Sequence, residues 1–586
     1  MKRIVSNPLV QTFLIYVSGG WIVLEMTDYF IDNYGLNETF RDVLLIIMLA
    51  GLPLALFFSW YLSRDKQEED DDTEAVSDKK DPGLFNVMLK RPWFSIPGTV
   101  LFLLIVVSLI RFVYRHSSDI TGDMAQSQAE ISLAVLPFTN FTGDTEQEWL
   151  VEGQHETLIN ELSKISQVRP LRVISRSTVN AFKNYDKPVP EIAREIDVEY
   201  LVEASVMSFG DSITLQLRLI QVYPEENVVW AESCSSNFSD ILKLHGGIAS
   251  QIAEKMNLEL SVDDLDKLSN PREVNPESYK AYLRGMYHLN LLTPEGMEKG
   301  LEFLHEAVRL DTMEPFAYAG LALGYLEIAH GPLDPGDALP KAEAAVAHAL
   351  KLDSTMAEIY AAMAEVYLYK LYRFEEAEKY FIKALELNPN LALTHYHYAW
   401  ALNLFGRMEE AITEHKLAQK YDPFNPLHTA WLGGLYLSDG QYEKAIESAL
   451  ESFEIQEDYA IGFLILGQAY LETGKTEEAI EAHEKLAELY PWWAFALGIT
   501  HYKTGQPEKA EKMLNDLLED PSIGPFKAWQ IATLAAVLGE NDIAFEYLNR
   551  EPHHAFVAWA AVGRNFNKLH DDPRWAEFVD GLNLPD

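Results

Sequence analysis

The sequence predicts a multidomain chain with N-terminal transmembrane helices, a small α/β domain and an all-α solenoid of helical pairs. Two long uncharged stretches lie near the N-terminus, and helix-type and strand-type patterns alternate between residues 131 and 258. After them, a short motif returns about every 34 residues. With 586 residues, of which 48% are hydrophobic, the chain is long enough to bury several cores.

Residues 1–115 are predicted to cross a membrane three times. Segments 43–62 and 93–110 carry no charge, and each is long enough to span roughly 30 Å of hydrocarbon. Segment 9–26 is a weaker span, because Ser18 and two glycines lower its hydrophobicity. A cleaved signal peptide is the alternative for this segment, but no small-x-small cleavage site precedes the acidic Asp28. The predicted anchor is therefore two helices within residues 1–63 and a third within 93–115.

Basic residues in the short loops predict the orientation of this anchor. Lys2 and Arg3 precede the first span, and six Lys or Arg residues lie in segment 64–92, whereas the first interhelical loop holds Arg41. Positive residues favour the cytoplasmic side, so the N-terminus and the acidic, disordered loop 64–92 are predicted to be cytoplasmic. The linker 116–130 and all that follows would lie on the periplasmic side of a bacterial inner membrane. If segment 9–26 does not span, the soluble part becomes cytoplasmic.

The middle segment, residues 131–258, is predicted to form a small α/β domain. An apolar run at 131–138 predicts a buried strand that ends at a proline, and 148–165 predicts an amphipathic helix. Two alternating runs at 200–209 and 212–222 flank Gly210-Asp211, which is a strong signal for a β-hairpin. A helix at 240–256 and a linker at 259–275 follow.

The motifs of this segment also carry a family resemblance. Ala134-Val135-Leu136-Pro137-Phe138, Val173-Ile174-Ser175-Arg176-Ser177 and Tyr200-Leu201-Val202-Glu203-Ala204 resemble the domain related to the amino-terminal domain of TolB. That domain occurs in the outer parts of CadC-like regulators and of membrane-integrated class III adenylate cyclases. The resemblance implies a non-catalytic assembly or sensing role. About eight residues precede the first predicted span, so their cytoplasmic effector domains are not expected here.

Residues 276–562 are predicted to form about eight helical pairs. One small residue of the motif recurs at intervals of 31 to 42 positions, at Gly300, Ala342, Ala377, Ala411, Ala445, Ala479, Ala510 and Ala544. Glycines such as Gly406 and Gly440 supply left-handed turns between the helices, and prolines such as Pro389 end the pairs. This pattern resembles the tetratricopeptide repeat family. A loop with two prolines and two glycines interrupts it at 331–336, and residues 563–586 predict a capping helix.

The resemblance implies that the first helix of each pair lines a concave groove that binds a protein or peptide partner. The family's groove positions, transferred onto this sequence, give one set of candidate binding residues: Tyr369, Tyr396, Trp400, Asn403, Gln468, Trp492, Phe495 and Tyr502. Aromatic rings beside side-chain amides suit an extended peptide, because rings supply contact area and amides hold the backbone. The competing interpretation is that most of these rings pack between repeats.

Composition and motifs argue against several other functions. A formal charge of −42 and the lack of a sustained Lys/Arg run argue against nucleic acid as a partner. His395 and His397 are two positions apart, which is not the i, i+4 spacing of helical metal ligands, and they are expected to be exposed or capping. No P-loop, nucleophile elbow or complete catalytic set is present, so neither a cofactor nor a metal nor enzymatic activity is predicted.

Two functional hypotheses remain from the sequence. The first is a membrane-anchored, extracytoplasmic scaffold whose repeats bind a protein partner. The second is a sensor or signalling subunit that binds a small ligand outside the membrane and acts through a separate cytoplasmic effector. Pairing with such an effector would distinguish the second from the first.

Overall fold

A computed structural model describes residues 130–585 apart from 184–186, 224, 263, 265–272, 292, 331–337, 521–524 and 551–555. The three predicted spans, the loop 64–92, nearly all of the linker 116–130 and the interrupting loop 331–336 lie outside the described residues. Within the described ranges, no helix has both the length and the apolar character needed to cross a membrane.

The small domain is built on a mixed sheet of six strands. The strands are β1 (Ile131–Val135), β2 (Thr139–Asn140), β3 (Leu171–Val173), β4 (Tyr200–Phe209), β5 (Ser212–Gln221) and β6 (Asn227–Asn237). Their order is β3-β1-β4-β5-β6, with β2 paired to β4. Strand β1 runs parallel to both neighbours, whereas β4, β5 and β6 form an antiparallel meander. Gly210 adopts a φ of +61° in the predicted hairpin turn.

Within the described part of this domain, four helices pack on the sheet. They are α1 (Glu148–Lys164), α2 (Arg176–Asn180), α3 (Val189–Glu195) and α4 (Ile241–Lys255). Helices α1 and α4 bury one face of the sheet, with Leu158, Leu162 and Ile252 fully inaccessible to solvent. Helices α2 and α3 cover the other face near β1, where they enclose Ala134 and Leu201. The domain is thus a three-layer α/β arrangement around two apolar cores.

The solenoid consists of eight antiparallel helical pairs among the described residues. The pairs are α5 (Pro276–Leu289) with α6 (Pro294–Leu310), α7 (Pro315–His330) with α8 (Ala338–Leu352), α9 (Ala357–Val366) with α10 (Phe374–Leu387), α11 (Ala392–Leu404) with α12 (Met408–Tyr421), α13 (Pro426–Ser438) with α14 (Tyr442–Ile455), α15 (Ala460–Glu472) with α16 (Thr476–Leu489), α17 (Phe495–Lys503) with α18 (Pro507–Glu519), and α19 (Pro525–Leu538) with α20 (Asn541–Arg550). First helices of neighbouring pairs contact each other and form the inner layer.

The recurring small residues explain why the helices approach so closely. The seven alanines from Ala342 to Ala544 that occupy the motif position are all fully buried. At Gly467, a Cβ atom would lie 2.4 Å from the His483 ring of the paired helix, so a larger residue could not fit there. Gly406 and the later turn glycines have φ values of +73° to +89°, which is the left-handed region predicted for them.

The third pair differs from the others at its turn. Its first helix, α9, continues as a π-helical turn over Tyr367–Leu371, which absorbs one extra residue. Tyr372 then takes the place of the turn glycine with a φ of +47°, an uncommon conformation for a residue with a bulky side chain. Its ring is almost completely buried and stacks on Phe374 at 5.7 Å, so packing holds the strained backbone in place.

The described residues 556–585 form two 3₁₀ segments and one short helix. The segments are Val557–Ala561 and Arg564–Leu569, and the helix is α21 (Arg574–Gly581). Arg574 joins α21 to α20, because its guanidinium lies 2.9 Å from Asp542 and over the Phe545 ring at 4.5 Å. The last helix thereby covers the end of the array.

The α/β domain and the solenoid belong to one compact unit. Helix α1 packs on α5, where Leu283 fills the space left by the missing side chain of Gly153. Near the edge strand β3, Asn390 accepts a hydrogen bond from the Val173 backbone at 3.2 Å and donates to the Leu171 carbonyl. A turn between repeats therefore covers one edge of the sheet and satisfies backbone groups that would otherwise face solvent.

Candidate protein-binding groove

The first helices of the pairs carry most of the predicted binding residues. Helices α11, α13 and α15 are apolar on nearly all sides and are buried over most of their length. The second helices are amphipathic and keep a charged outer face. Partner contacts on the inner layer must therefore come from the few side chains that remain partly accessible there.

Tyr396 and Trp400 are the central pair of this inner surface. Both lie on α11, one turn apart, and both are half-buried. The Trp400 ring meets Trp431 of the next pair edge-on, with ring centroids 5.2 Å apart. The Tyr396 ring packs beside His415 and His428 at 5.5 and 5.7 Å. These rings pack between repeats, as the competing interpretation predicts, and both remain partly accessible, so a role in partner binding stays a prediction.

Tyr369 lies at the same inner surface but is buried. Its hydroxyl is 2.9 Å from Nδ1 of His397, and the other ring nitrogen of that histidine lies 3.6 Å from the Glu365 carboxylate. Burial raises the pKa of Glu365 well above its usual range, and the nearby Glu327 carboxylate adds to the shift. Burial likewise raises the pKa of Tyr369. This group couples the third and fourth pairs through polar contacts inside the solenoid.

The histidine prediction was wrong for two residues. His395 and His397 are both buried, at 5% and 9% exposure, instead of being exposed or capping. Nδ1 of His395 lies 2.6 Å from the Glu414 carboxylate, and its Nε2 lies 2.9 Å from the Pro389 carbonyl oxygen. Polar partners on adjacent elements make burial possible, and sequence spacing alone gives no sign of them. Among the described residues, no group of three His, Cys, Asp or Glu side chains is placed to hold a metal ion.

The remaining predicted residues do not share one surface. Asn403 and Phe495 are 6% and 7% exposed and pack in the core, so they offer little area to a partner. Gln468 is half-buried. Trp492 is 46% exposed and lies in a short 3₁₀ turn before α17, where its carbonyl accepts a hydrogen bond from Gln530. The accessible part of the predicted set is thus Tyr396, Trp400, Gln468 and Trp492, with Tyr502 considered next.

The C-terminal region covers two of the predicted groove residues. Lys568 donates a hydrogen bond of 2.8 Å to the Tyr502 hydroxyl and lies over its ring at 4.5 Å. Trp559 packs on Tyr369, with ring centroids 5.6 Å apart. Neither contact could be found from the repeat pattern, because the C-terminal residues lie outside it.

A second site that the sequence did not indicate joins the groove helices to the α/β domain. Asp422, in the turn before α13, accepts hydrogen bonds from Ser177 and Thr178 at 2.5 and 2.7 Å. The imidazole of His428 lies 3.5 Å from the same carboxylate. Burial by itself would raise the pKa of Asp422, but the contacts with His428 and the serine hydroxyls outweigh it and hold the pKa well below its usual range.

Two family models match parts of the chain. Residues 128–262 match the second domain of HilA/YgeH-like transcriptional regulators. Residues 366–426 and 432–491 match a tetratricopeptide repeat model. The chain therefore carries tetratricopeptide repeats, as predicted, in an array of the protein-interaction scaffold type.

Curated relatives match up to half of the chain. The protein named adenylate cyclase 3 of Rhizobium meliloti (strain 1021) is 27% identical over 198 residues, which is 34% of this chain and 33% of its own length. The transcriptional regulator HilA of Salmonella typhimurium is 23% identical over 307 residues, 50% of this chain and 51% of its own length. The chain thus spans between a third and a half of these relatives. Both matches agree with the predicted resemblance to CadC-like regulators and class III adenylate cyclases.

Solved structures are similar to parts of the chain. PilW, a widely conserved type IV pilus biogenesis factor, is 20% identical, and the match covers 38% of this chain and 97% of PilW with a TM-score of 0.31. The repeat protein YrrB, described as having an unusual peptide-binding site, is 20% identical over 32% of this chain and 92% of its own, with a TM-score of 0.25.

Proposed function

We propose that this protein is a membrane-anchored scaffold whose repeat array binds a protein partner outside the cytoplasm. The observation that carries the proposal is the half-buried pair Tyr396 and Trp400 on the inner helix α11. Large, rigid rings that are partly accessible in a groove supply binding area at a small cost in conformational entropy. The two uncharged segments 43–62 and 93–110 support the membrane anchor.

A comparison of two double variants tests the groove. Tyr396→Ala with Trp400→Ala removes both rings, and we expect recovery of the partner from detergent extract to fall at least tenfold. The matched control is Phe209→Ala with Ile382→Ala, which removes exposed apolar side chains from the β-hairpin and the outer helix α10. Thermal midpoints of all proteins must be compared first, because truncating half-buried rings also loosens packing.

The outcomes distinguish loss of the binding surface from general loss of structure. Unchanged recovery with the groove variant, or equal loss with the control, would contradict the proposed binding surface. The conservative substitution Trp400→Phe keeps an aromatic ring beside Trp431 and should retain most of the binding if the ring is what the partner contacts.

The compartment is tested separately. A reporter enzyme that is active only outside the cytoplasm is fused after Glu130, which follows the last predicted span. We expect activity, because three predicted spans with a cytoplasmic N-terminus would put this residue on the outer side. Activity of a cytoplasmic reporter at the same position would contradict the extracytoplasmic placement while leaving the scaffold role intact.

A sensor or signalling subunit is the second candidate. Its specific support is the pair of hydrogen bonds from Ser177 and Thr178 to the buried Asp422 carboxylate, which connect the solenoid to the small domain. A ligand that alters the inner helices could thereby act on the domain nearer the predicted membrane anchor. Co-purification with a separate cytoplasmic effector, lost on deletion of segment 93–110, is the result expected for this function. A partner confined to the outer side favours the scaffold.

A further inference from the structure

Residues 556–570, here called the C-terminal segment, lie against helices that are far apart in the sequence. Near the third pair, the Trp559 ring packs on Tyr369, and the Tyr372 hydroxyl is hydrogen-bonded to the backbone of Ala558. These contacts fall on the π-helical turn and the left-handed residue that make the third pair unlike the others. The uncommon backbone of that pair is therefore located where the segment packs.

Arg564 extends the contact to the fifth and sixth pairs. Its guanidinium donates hydrogen bonds to the Tyr442 hydroxyl at 2.6 Å and to the Ser438 carbonyl at 3.2 Å. The Glu472 carboxylate lies 3.8 Å away. Ser438 and Glu472 are the last residues of α13 and α15.

Lys568 repeats the arrangement at the seventh and eighth pairs. Its ammonium group donates to the Tyr502 hydroxyl at 2.8 Å and to the Val537 carbonyl at 2.6 Å. Tyr502 and Val537 each precede the last residue of their helix, α17 and α19.

Two of the contacted groups, the Ser438 and Val537 carbonyls, lie in the last turn of a first helix. The last carbonyls of a helix lack intrahelical partners and carry the negative end of the helix dipole. Because every first helix of the array ends on the same side, these ends form a row of acceptors, to which tyrosine hydroxyls and Glu472 add. Such a row selects cationic side chains, and the strong negative charge of the chain reinforces the preference.

We propose that this row of helix ends is a docking surface for a protein segment in which an aromatic residue is followed, five and nine positions later, by cationic residues. The C-terminal segment, with Trp559, Arg564 and Lys568 at this spacing, occupies the surface as an internal ligand. The proposal rests on the scaffold function and specifies the chemistry of a partner. A partner of this kind competes with the chain's own segment, and the Arg564 side chain, 42% exposed, is accessible for exchange.

The test uses the full-length protein in detergent and a fluorescent peptide with the sequence of residues 556–570. In the wild type the surface is occupied, so the peptide should bind weakly. Arg564→Glu with Lys568→Glu should release the internal segment and increase peptide affinity at least tenfold. A peptide in which both cationic residues are replaced by Glu should not bind. The charge-matched control is Arg407→Glu with Lys485→Glu, which alters cationic side chains outside the segment's contacts and should leave affinity unchanged.

Hydrogen exchange provides the second readout. In the Glu variant, and in a neutral Arg564→Gln with Lys568→Gln variant, amides of 557–569 should lose protection while those of α11 and α13 keep it. Equal peptide affinity in wild type and variants would overturn the proposal. So would loss of protection throughout α13–α19, because the segment would then be a structural clamp. In a further outcome the peptide fails to bind in every variant, although Tyr396→Ala with Trp400→Ala abolishes partner recovery. That pair of results would refute this docking surface and leave the scaffold function standing.

Discussion

Two buried histidines should make the α/β domain sensitive to acid. His155 donates from Nε2 to the Val135 carbonyl at 2.8 Å, and Nε2 of His245 lies 2.8 Å from the Gln154 side-chain oxygen. Burial, together with the nearby positive charges of Arg176 and Lys183, lowers the pKa of His155 to about 4, although the hydrogen bond to Val135 opposes the shift. Burial also lowers the pKa of His245 to about 3. Both imidazoles are therefore neutral in the folded domain at neutral pH.

The sign and size of the effect follow from proton linkage. In the unfolded chain both histidines titrate near pH 6.5, so the unfolded state binds more protons than the folded state below that value. The contribution of the two neutral histidines to the free energy of unfolding is fully present above about pH 6.5, and it decreases as the pH falls toward their pKa values in the folded state. At pH 5 the difference of about 1.5 pH units corresponds to about 2 kcal/mol for each histidine, or about 4 kcal/mol together. That is a large fraction of the roughly 5–15 kcal/mol that stabilises a typical domain.

The assay is urea unfolding followed by hydrogen exchange, with β1, α1 and α4 as reporters, at pH 7.5 and pH 5. His155→Gln with His245→Gln retains a side-chain N–H donor near each Nε2 position but cannot be protonated, and should remove the part of the pH dependence that these two histidines supply. The matched control His570→Gln changes an exposed histidine and should leave the pH dependence of stability unaltered. The linkage argument would be refuted if the free energy of unfolding of the wild type fell by less than about 1 kcal/mol between pH 7.5 and pH 5, or if it fell equally in the double variant.

Two further predictions concern packing in the same compact unit. Asp422→Ala leaves the buried Thr178 hydroxyl without its acceptor and removes the hydrogen bond from Ser177, so it should destabilise the contact between the domain and the solenoid by about 1–3 kcal/mol. Proteolysis and thermal midpoints measure this loss, and Asp458→Ala, at an exposed position, is the control that should show no change. Gly467→Ala places a Cβ against His483 and should lower the thermal midpoint of the array, whereas Gly247→Ala, in a helix with open space around it, should raise stability by up to about 1 kcal/mol. Equal effects of the two glycine substitutions would contradict the steric explanation.

The sequence determined the repeat architecture to a high degree. Ala411 and Ala445 mark positions where only a small side chain lets paired helices meet, and Gly440 marks a left-handed turn. These requirements are local, so they recur at a fixed spacing and are readable without a structure. The strand order of the small domain was harder to predict from the sequence, although the hairpin around Gly210-Asp211 follows from turn chemistry.

The accessible part of the groove was decided by tertiary structure. Asn403 and Phe495 occupy groove positions in the family pattern, yet packing buries both. The contact of Asp422 with Ser177 joins residues 245 positions apart, and the approach of Trp559 to Tyr369 depends on how far the solenoid curves. Such contacts depend on the summed geometry of many helices, and no periodic signal encodes them. The sequence by itself therefore specified the units and their inner faces, while the folded chain determined which inner side chains remain available and which the C-terminal segment covers.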